Sequence, residues 1–143
     1  MTSEALVIEK TLNAPVARIW KAITEKDEMK HWYFDLEAFE PRVGFRFNFY
    51  GETEDKTRYL HLCEITEVIP GKKLTYSWRY ENDPGISYVS FELFPEGDKT
   101  RVKLTHEGLE SFSKDNPDLV PGNFEQGWNE IIGINLKNYV EKK

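Results

Sequence analysis

The residues that bear chemistry are few. The chain carries three histidines, His31, His61 and His106, and one cysteine, Cys63. Imidazole and thiolate are zinc ligands, and His61 and Cys63 stand two apart on a segment read as a strand, so they share a face. No histidine has a second ligand at a spacing such as HxxxH, while structural zinc takes four donors; no metal is expected. No GxSxG elbow occurs and Cys63 has no recognisable partner sequence, so it reads as a buried thiol rather than a nucleophile. Without a GxGxxG or Walker sequence no phosphate loop is present, and no cofactor is implied. An acid-base pair in an apolar pocket would draw on Glu64, Glu67, Glu92, Arg79 and His106, because burial tunes a carboxylate or imidazole towards neutrality. Alternation sets Glu92 opposite Phe91 and Leu93 and so towards solvent, and His106 reads as a satisfied core or edge histidine. No catalytic residue is assigned.

The composition narrows the class. A length of 143 residues suits one domain spanning 1–143. A formal charge of −6, with acids spread along the chain, argues against nucleic acid as a partner, which needs a clustered basic surface. The lone cysteine permits no internal disulfide, and the opening MTSEALVIEK places Glu4 and Glu9 where a signal peptide needs an apolar core. No apolar run approaches the roughly 20 residues of a membrane span. A soluble, cytoplasmic protein without membrane insertion is expected.

The elements that must position these residues follow from periodicity. Leu6 to Leu12 reads as a first strand. Asn13-Ala14-Pro15 makes a helix entrance, with Asn13 as cap, before Val16, Ile19, Trp20 and Ile23 at helical spacing. A second helical turn is read from about Glu25 to Trp32. From Phe34 to about Leu109 the pattern is strands and turns: Phe45, Phe47 and Phe49 share a face, as do Leu74, Tyr76, Trp78 and Tyr80, then Val89, Phe91 and Leu93, then Val102, Leu104 and His106. Gly51 to Asp55, Pro70-Gly71-Lys72, Asn82 to Gly85 and Pro95 to Asp98 are the turns. A loop with one helical turn spans Gly108 to Pro121. From about Asn123 to Val140 a final amphipathic helix sets Phe124, Trp128, Ile131, Ile132, Leu136 and Tyr139 on one face. Asn135 falls within that arc at about 100° per residue, either bonding the sheet or a buried water or orienting a ligand.

This order predicts an α+β fold in which the long C-terminal helix crosses the concave face of a curved antiparallel sheet and leaves an apolar cavity between them. Aromatic residues form 14% of the chain and supply its walls.

Several stretches resemble a known family. They are Asn13-Ala14-Pro15-x-x-x-Ile19-Trp20-x-Ala22-Ile23-Thr24 with His31-Trp32, Pro41-x-Val43-Gly44-Phe45-x-Phe47, and the hairpin from Ile65 through Pro70-Gly71 to Trp78. Thr100-Arg101-Val102-x-Leu104-Thr105-His106-x-Gly108-Leu109 and Gly127-Trp128 complete the set. In this order they resemble the START-like or SRPBCC helix-grip superfamily, and within it the heat-shock-protein-90 ATPase activator homologues (AHSA-type). Phe45 departs from that pattern by standing where the family often has a second glycine. The resemblance implies a helix-grip fold with a hydrophobic cavity, and relatives that include cyclases and dehydratases. The namesake co-chaperones carry a further chaperone-binding domain ahead of this one, whereas this chain begins directly with the first strand.

The reading drawn from these residues is a non-catalytic domain that binds a small hydrophobic or amphipathic molecule. Trp32, Phe47, Phe49, Trp78, Tyr88, Phe124, Trp128 and Asn135 are its expected lining. The alternatives are a cyclase-like or hydratase-like enzyme using the same cavity and a chaperone-interacting module.

Overall fold

The computed structural model describes residues 5–33, 36, 38–52, 58–81, 83–112 and 121–141. Phe34, Asn82, the Thr53 to Asp55 part of the first expected turn and the 113–120 part of the expected loop lie outside the described residues. The strands β1 (Leu6–Leu12), β2 (Arg46–Glu52), β3 (Arg58–Ile69), β4 (Lys73–Tyr80), β5 (Ser87–Glu96) and β6 (Lys99–Glu107) form one curved sheet in the order β1-β6-β5-β4-β3-β2. Every pairing is antiparallel. β2 to β6 are successive hairpin partners, and β1 closes against β6. The helices are α1 (Val16–Thr24), α2 (Lys26–Met29), a 3-10 turn at Leu109–Ser111, and a C-terminal helix of three parts. Those parts are α3 (Pro121–Glu130), a π-helical segment (Ile131–Leu136) and α4 (Lys137–Val140). Among the described residues no helix is long and apolar enough to cross a membrane.

Strand alternation sets the inner face. Phe47 and Phe49 of β2, Tyr59 to Ile65 at odd positions of β3, and Leu74, Tyr76, Trp78 and Tyr80 of β4 are all buried. Val89, Phe91 and Leu93 of β5 and Val102, Leu104 and His106 of β6 continue the face. The register of β3 against β4 shifts between Ile65 and Glu67, a bulge that reverses which positions point inward. Ile65 before it and Val68 after it therefore both pack on the core. Gly71, at a φ of 75°, makes the β3–β4 turn after Pro70, a backbone region that costs any side chain bearing Cβ.

The final helix departs from the expected geometry. Its buried residues are Phe124, Trp128, Ile132, Leu136 and Val140, spaced four apart throughout. In an α-helix of about 3.6 residues per turn each such step drifts by about 40°, so the stripe would wind off the sheet. The π-helical turns, with i to i+5 bonding, are wider and rotate the stripe back. Asn135 accordingly lies one residue off the stripe and is exposed. This corrects its expected place on the inner arc, because the 100° assumption fails where the helix widens. Ile132 and Leu136 are fully buried, and such side chains each contribute about 1.5–3 kcal/mol.

The opening of α1 also differs. Pro15 takes the cap position without a side-chain bond, and the backbone N–H of Asn13 donates instead to Glu141 Oε2 at 2.9 Å. That bond ties the β1–α1 turn to the end of the last helix. A second tie joins all three helical regions. Arg18 of α1 pairs with Glu28 of α2 at 2.8 Å, Tyr139 of α4 donates its hydroxyl to Glu28 at 2.6 Å, and the Arg18 guanidinium lies 4.7 Å from the Tyr139 ring centre.

The Tyr139 hydroxyl first, and Arg18 with it, hold the Glu28 carboxyl below its usual range. A depressed folded value means that this tie stabilises above the ordinary carboxylate pKa and is lost as pH falls through the folded one. Tyr139→Phe is expected to cost about 1 kcal/mol at pH 7, discounted for partial exposure, and less at pH 3. Urea melts at both pH values measure this; an equal loss at both would show that the hydroxyl acts independently of the carboxylate.

Candidate functional site

Between sheet and last helix the described structure is a continuous stack of aromatic rings. Tyr33, half-buried just after α2, lies 5.9 Å from Phe49 on the sheet and 6.2 Å from Trp128 on α3, nearly parallel to the latter. Trp128 also meets Trp78 at 5.6 Å and Phe91 at 6.0 Å. Trp32 packs edge-on against Phe91 at 6.4 Å and donates its indole N–H to Ala22 O at 2.9 Å. Phe124 lies 5.2 Å from His106 and stacks on Phe112 at 5.9 Å.

Of the expected lining, Trp32, Phe47, Phe49, Trp78, Phe124 and Trp128 are buried and meet in this stack. Two are elsewhere. Asn135 is exposed for the reason given, and Tyr88 is 41% exposed on the outer sheet face, its neighbours Ser87 and Val89 taking the inner positions. The placing of Val89, Phe91 and Leu93 on one face already excludes Tyr88 from it.

The structure adds polar residues that the expected lining omitted. The indole N–H of Trp128 donates to His106 Nδ1 at 3.0 Å, His106 Nε2 lies 2.8 Å from Ser87 Oγ, and Ser87 donates to the Trp78 carbonyl at 2.8 Å. An indole nitrogen only donates, so Nδ1 accepts and the neutral ring carries its proton on Nε2. The chain Trp128 to His106 to Ser87 to Trp78 then matches every donor to an acceptor and spans α3, β6, β5 and β4. Elsewhere in the interior the Tyr33 and Tyr76 hydroxyls sit 2.7 Å apart, and Trp78 Nε1 donates to Tyr80 Oη at 2.9 Å. Tyr76 and Tyr80 share strand parity with Trp78, and that parity was the signal available in the sequence. The pairing of Tyr33 with a strand residue 43 positions away had none.

His61 is the second buried imidazole. It stacks on Phe49 at 4.5 Å and meets Trp78 and Tyr80 edge-on, each at 4.8 Å. Its fit depends on Gly51: a Cβ there would stand 2.6 Å from His61 Cε1. Desolvation lowers His61 to about 4 although the Tyr59 and Phe49 carbonyls favour its charged form, and lowers His106 to about 3. Burial likewise raises the Cys63 thiol and the Tyr33, Tyr76 and Tyr80 phenols, so these stay protonated.

The candidate acids and bases do not converge. Glu64 pairs with Arg46 at 3.1 Å and Glu67 with Lys73 at 2.9 Å. Glu64 and Arg79 border an open groove of about 380 Å³ on the outer face with Arg46, Asn48, Leu62 and Ile86. Among the described residues the buried carboxylate is Asp83, which accepts the Gly85 N–H at 2.9 Å within the β4–β5 turn. No group of three or more His, Cys, Asp or Glu side chains gathers among the described residues.

Because both histidines are neutral when folded and protonate near 6.5 when unfolded, the unfolded state gains protons first as pH falls. Stability is therefore expected to drop from about pH 6.5 downward by up to about 1.4 kcal/mol per pH unit for each histidine. Urea midpoints across pH 5 to 7 test the slope, and imidazole nitrogen shifts at pH 5 test whether His106 remains the neutral Nε2–H tautomer. A charged His106 at pH 5 would break the chain as described.

The fold is shared with solved structures. Protein MLL2253 from Mesorhizobium loti is 25% identical with a TM-score of 0.78, covering 98% of both chains. CalU16 from Micromonospora echinospora is 26% identical with a TM-score of 0.74, covering 96% of this chain and 76% of that one. CV1439 from Chromobacterium violaceum, 19% identical, superposes with a TM-score of 0.81 over 97% of this chain and 98% of its own. Among curated proteins none matches this chain. The family model described as activator of Hsp90 ATPase homolog 1-like protein matches residues 13–141. With the helix-grip architecture and nearly the full length in agreement, the chain belongs to the activator of Hsp90 ATPase homolog 1-like family.

Proposed function

We propose that the protein binds a small hydrophobic or amphipathic molecule in the interior between the sheet and the C-terminal helix. The observation that carries this reading is the concentration of hydrogen-bonding groups among the aromatic rings there. His61, His106, Ser87, Tyr33, Tyr76 and Tyr80 all face inward. A core built for stability alone gains little from them, because each buried polar group nets about 1 kcal/mol when bonded and costs about 1–3 when not. A binding interior uses the same set to orient a ligand against apolar walls. The half-buried Tyr33 ring stands where interior meets surface and would be the first to move aside.

The two interior imidazoles are lowered to about 4 and about 3, which suits them to orient a ligand rather than to carry protons near neutral pH, so binding is favoured over turnover.

A ligand present at about 100 times its Kd stabilises by about 2.7 kcal/mol, which for a domain of this size raises Tm by roughly 5–10 °C. Thermal scans against lipid and polyketide-like libraries, with mass spectrometry of molecules retained through native purification, are expected to find such a compound. Trp128→Ala is expected to abolish the rise. No retained molecule and no shift across both libraries would sink the reading.

A further inference from the structure

Three inward residues of β4 form a polar row, Tyr76, Trp78 and Tyr80, and on β3 Cys63 stands opposite Trp78. The direction of one bond in this row is fixed by chemistry. Trp78 Nε1 donates to Tyr80 Oη at 2.9 Å, and since an indole nitrogen cannot accept, the Tyr80 oxygen is the acceptor. The hydrogen on Tyr80 must therefore point elsewhere. Tyr80 is only 4% exposed, and among the described residues no acceptor stands within hydrogen-bond reach of that hydrogen. The Tyr80 oxygen is thus partnered through Trp78, while its hydrogen is left for a further acceptor.

The surroundings limit what can use it. The ring centres of His61, Tyr59 and Phe112 lie 4.8, 5.5 and 5.2 Å from that of Tyr80, so the phenol stands among flat aromatic rings. Among the described residues no lysine or arginine is buried, and the buried carboxylate, Asp83, is engaged with Gly85. An anion entering here would shed its hydration with no cation to replace it. Burial also raises the phenol, so Tyr80 remains a donor across the accessible pH range.

We infer that the Tyr80 hydroxyl is the specificity-determining donor of the interior, selecting uncharged, planar molecules that present a carbonyl oxygen over both hydrocarbons and carboxylates. This rests on the interior being the binding site as proposed above. Trp78 is the positioning residue: by donating to Tyr80 Oη it turns the phenolic hydrogen away from itself and towards the ligand.

Three probes of nearly equal shape separate the possibilities: 9-fluorenone, fluorene and fluorene-9-carboxylate, titrated into the whole protein by calorimetry. Fluorenone is expected to bind about 5- to 10-fold more tightly than fluorene, the worth of one neutral hydrogen bond, and the carboxylate more weakly than either. In Tyr80→Phe the fluorenone-to-fluorene ratio is expected to fall to within about twofold. The carbonyl stretch of bound fluorenone, read in the wild-type protein, is expected below its value in hexane, and this readout stands if the variant does not fold. Equal affinities for fluorenone and fluorene, an unshifted carbonyl stretch, or a ratio retained in Tyr80→Phe would overturn the inference and leave interior binding standing. Failure of all three probes to bind at their solubility limits would overturn the inference, whereas interior binding itself stands or falls with the library screen.

Discussion

The hydrogen bond from Trp128 to His106 is the interaction on which the rest of the interior depends. It joins the C-terminal helix to the sheet at the centre of the aromatic stack, and it settles which nitrogen of His106 carries the proton. With that proton on Nε2, the ring donates to Ser87, and Ser87 in turn donates to the Trp78 carbonyl. Four elements, α3, β4, β5 and β6, are thereby fixed in relative position by buried groups bonded to one another. A hydrophobic stack alone allows rings to slide; a closed chain of buried donors and acceptors admits one arrangement.

The same constraint explains the histidines. An imidazole is retained in a dry interior only as the neutral ring, and both His61 and His106 are driven far below their ordinary pKa by desolvation. Each then has one donor and one acceptor nitrogen, which suits orientation rather than proton transfer near neutral pH. Gly51 makes room for one of these rings, and the small side chain of Ser87 reaches both the other ring and the Trp78 carbonyl. The Arg46–Glu64 and Lys73–Glu67 pairs lie outside this interior, at partly exposed positions.

The clamp on the helices works by different physics. Arg18, Glu28 and Tyr139 are partly exposed and combine an ion pair, a charge-assisted hydrogen bond and a ring contact. Such contacts are individually modest, yet they hold the end of the last helix against α1 and α2. The helix is thus fastened at Trp128 by a neutral interior chain and at Tyr139 by a charged one. Between the two, the π-helical segment keeps its buried stripe facing the sheet.

Much of this was legible in the order of residues. Alternation with a period of two is set by strand geometry, so the inner faces of β4, β5 and β6 and the turn at Pro70-Gly71 follow from local pattern, and their sequence, ending in one long amphipathic helix, yields the helix-grip fold. The same parity excluded Tyr88 and would have admitted Tyr76 and Tyr80. What periodicity does not carry is a change of period. The π-helical widening that turns Asn135 outward and the bulge that reverses β3 after Ile65 arise from packing against the rest of the fold. The partners of buried polar groups are likewise tertiary facts: Tyr33 finds Tyr76, and Trp128 finds His106, only because helix and sheet meet. The sequence by itself therefore determined the elements and their inner faces, because these obey local geometry; the tertiary structure alone decided which donor meets which acceptor, because that depends on distances between segments far apart in the chain.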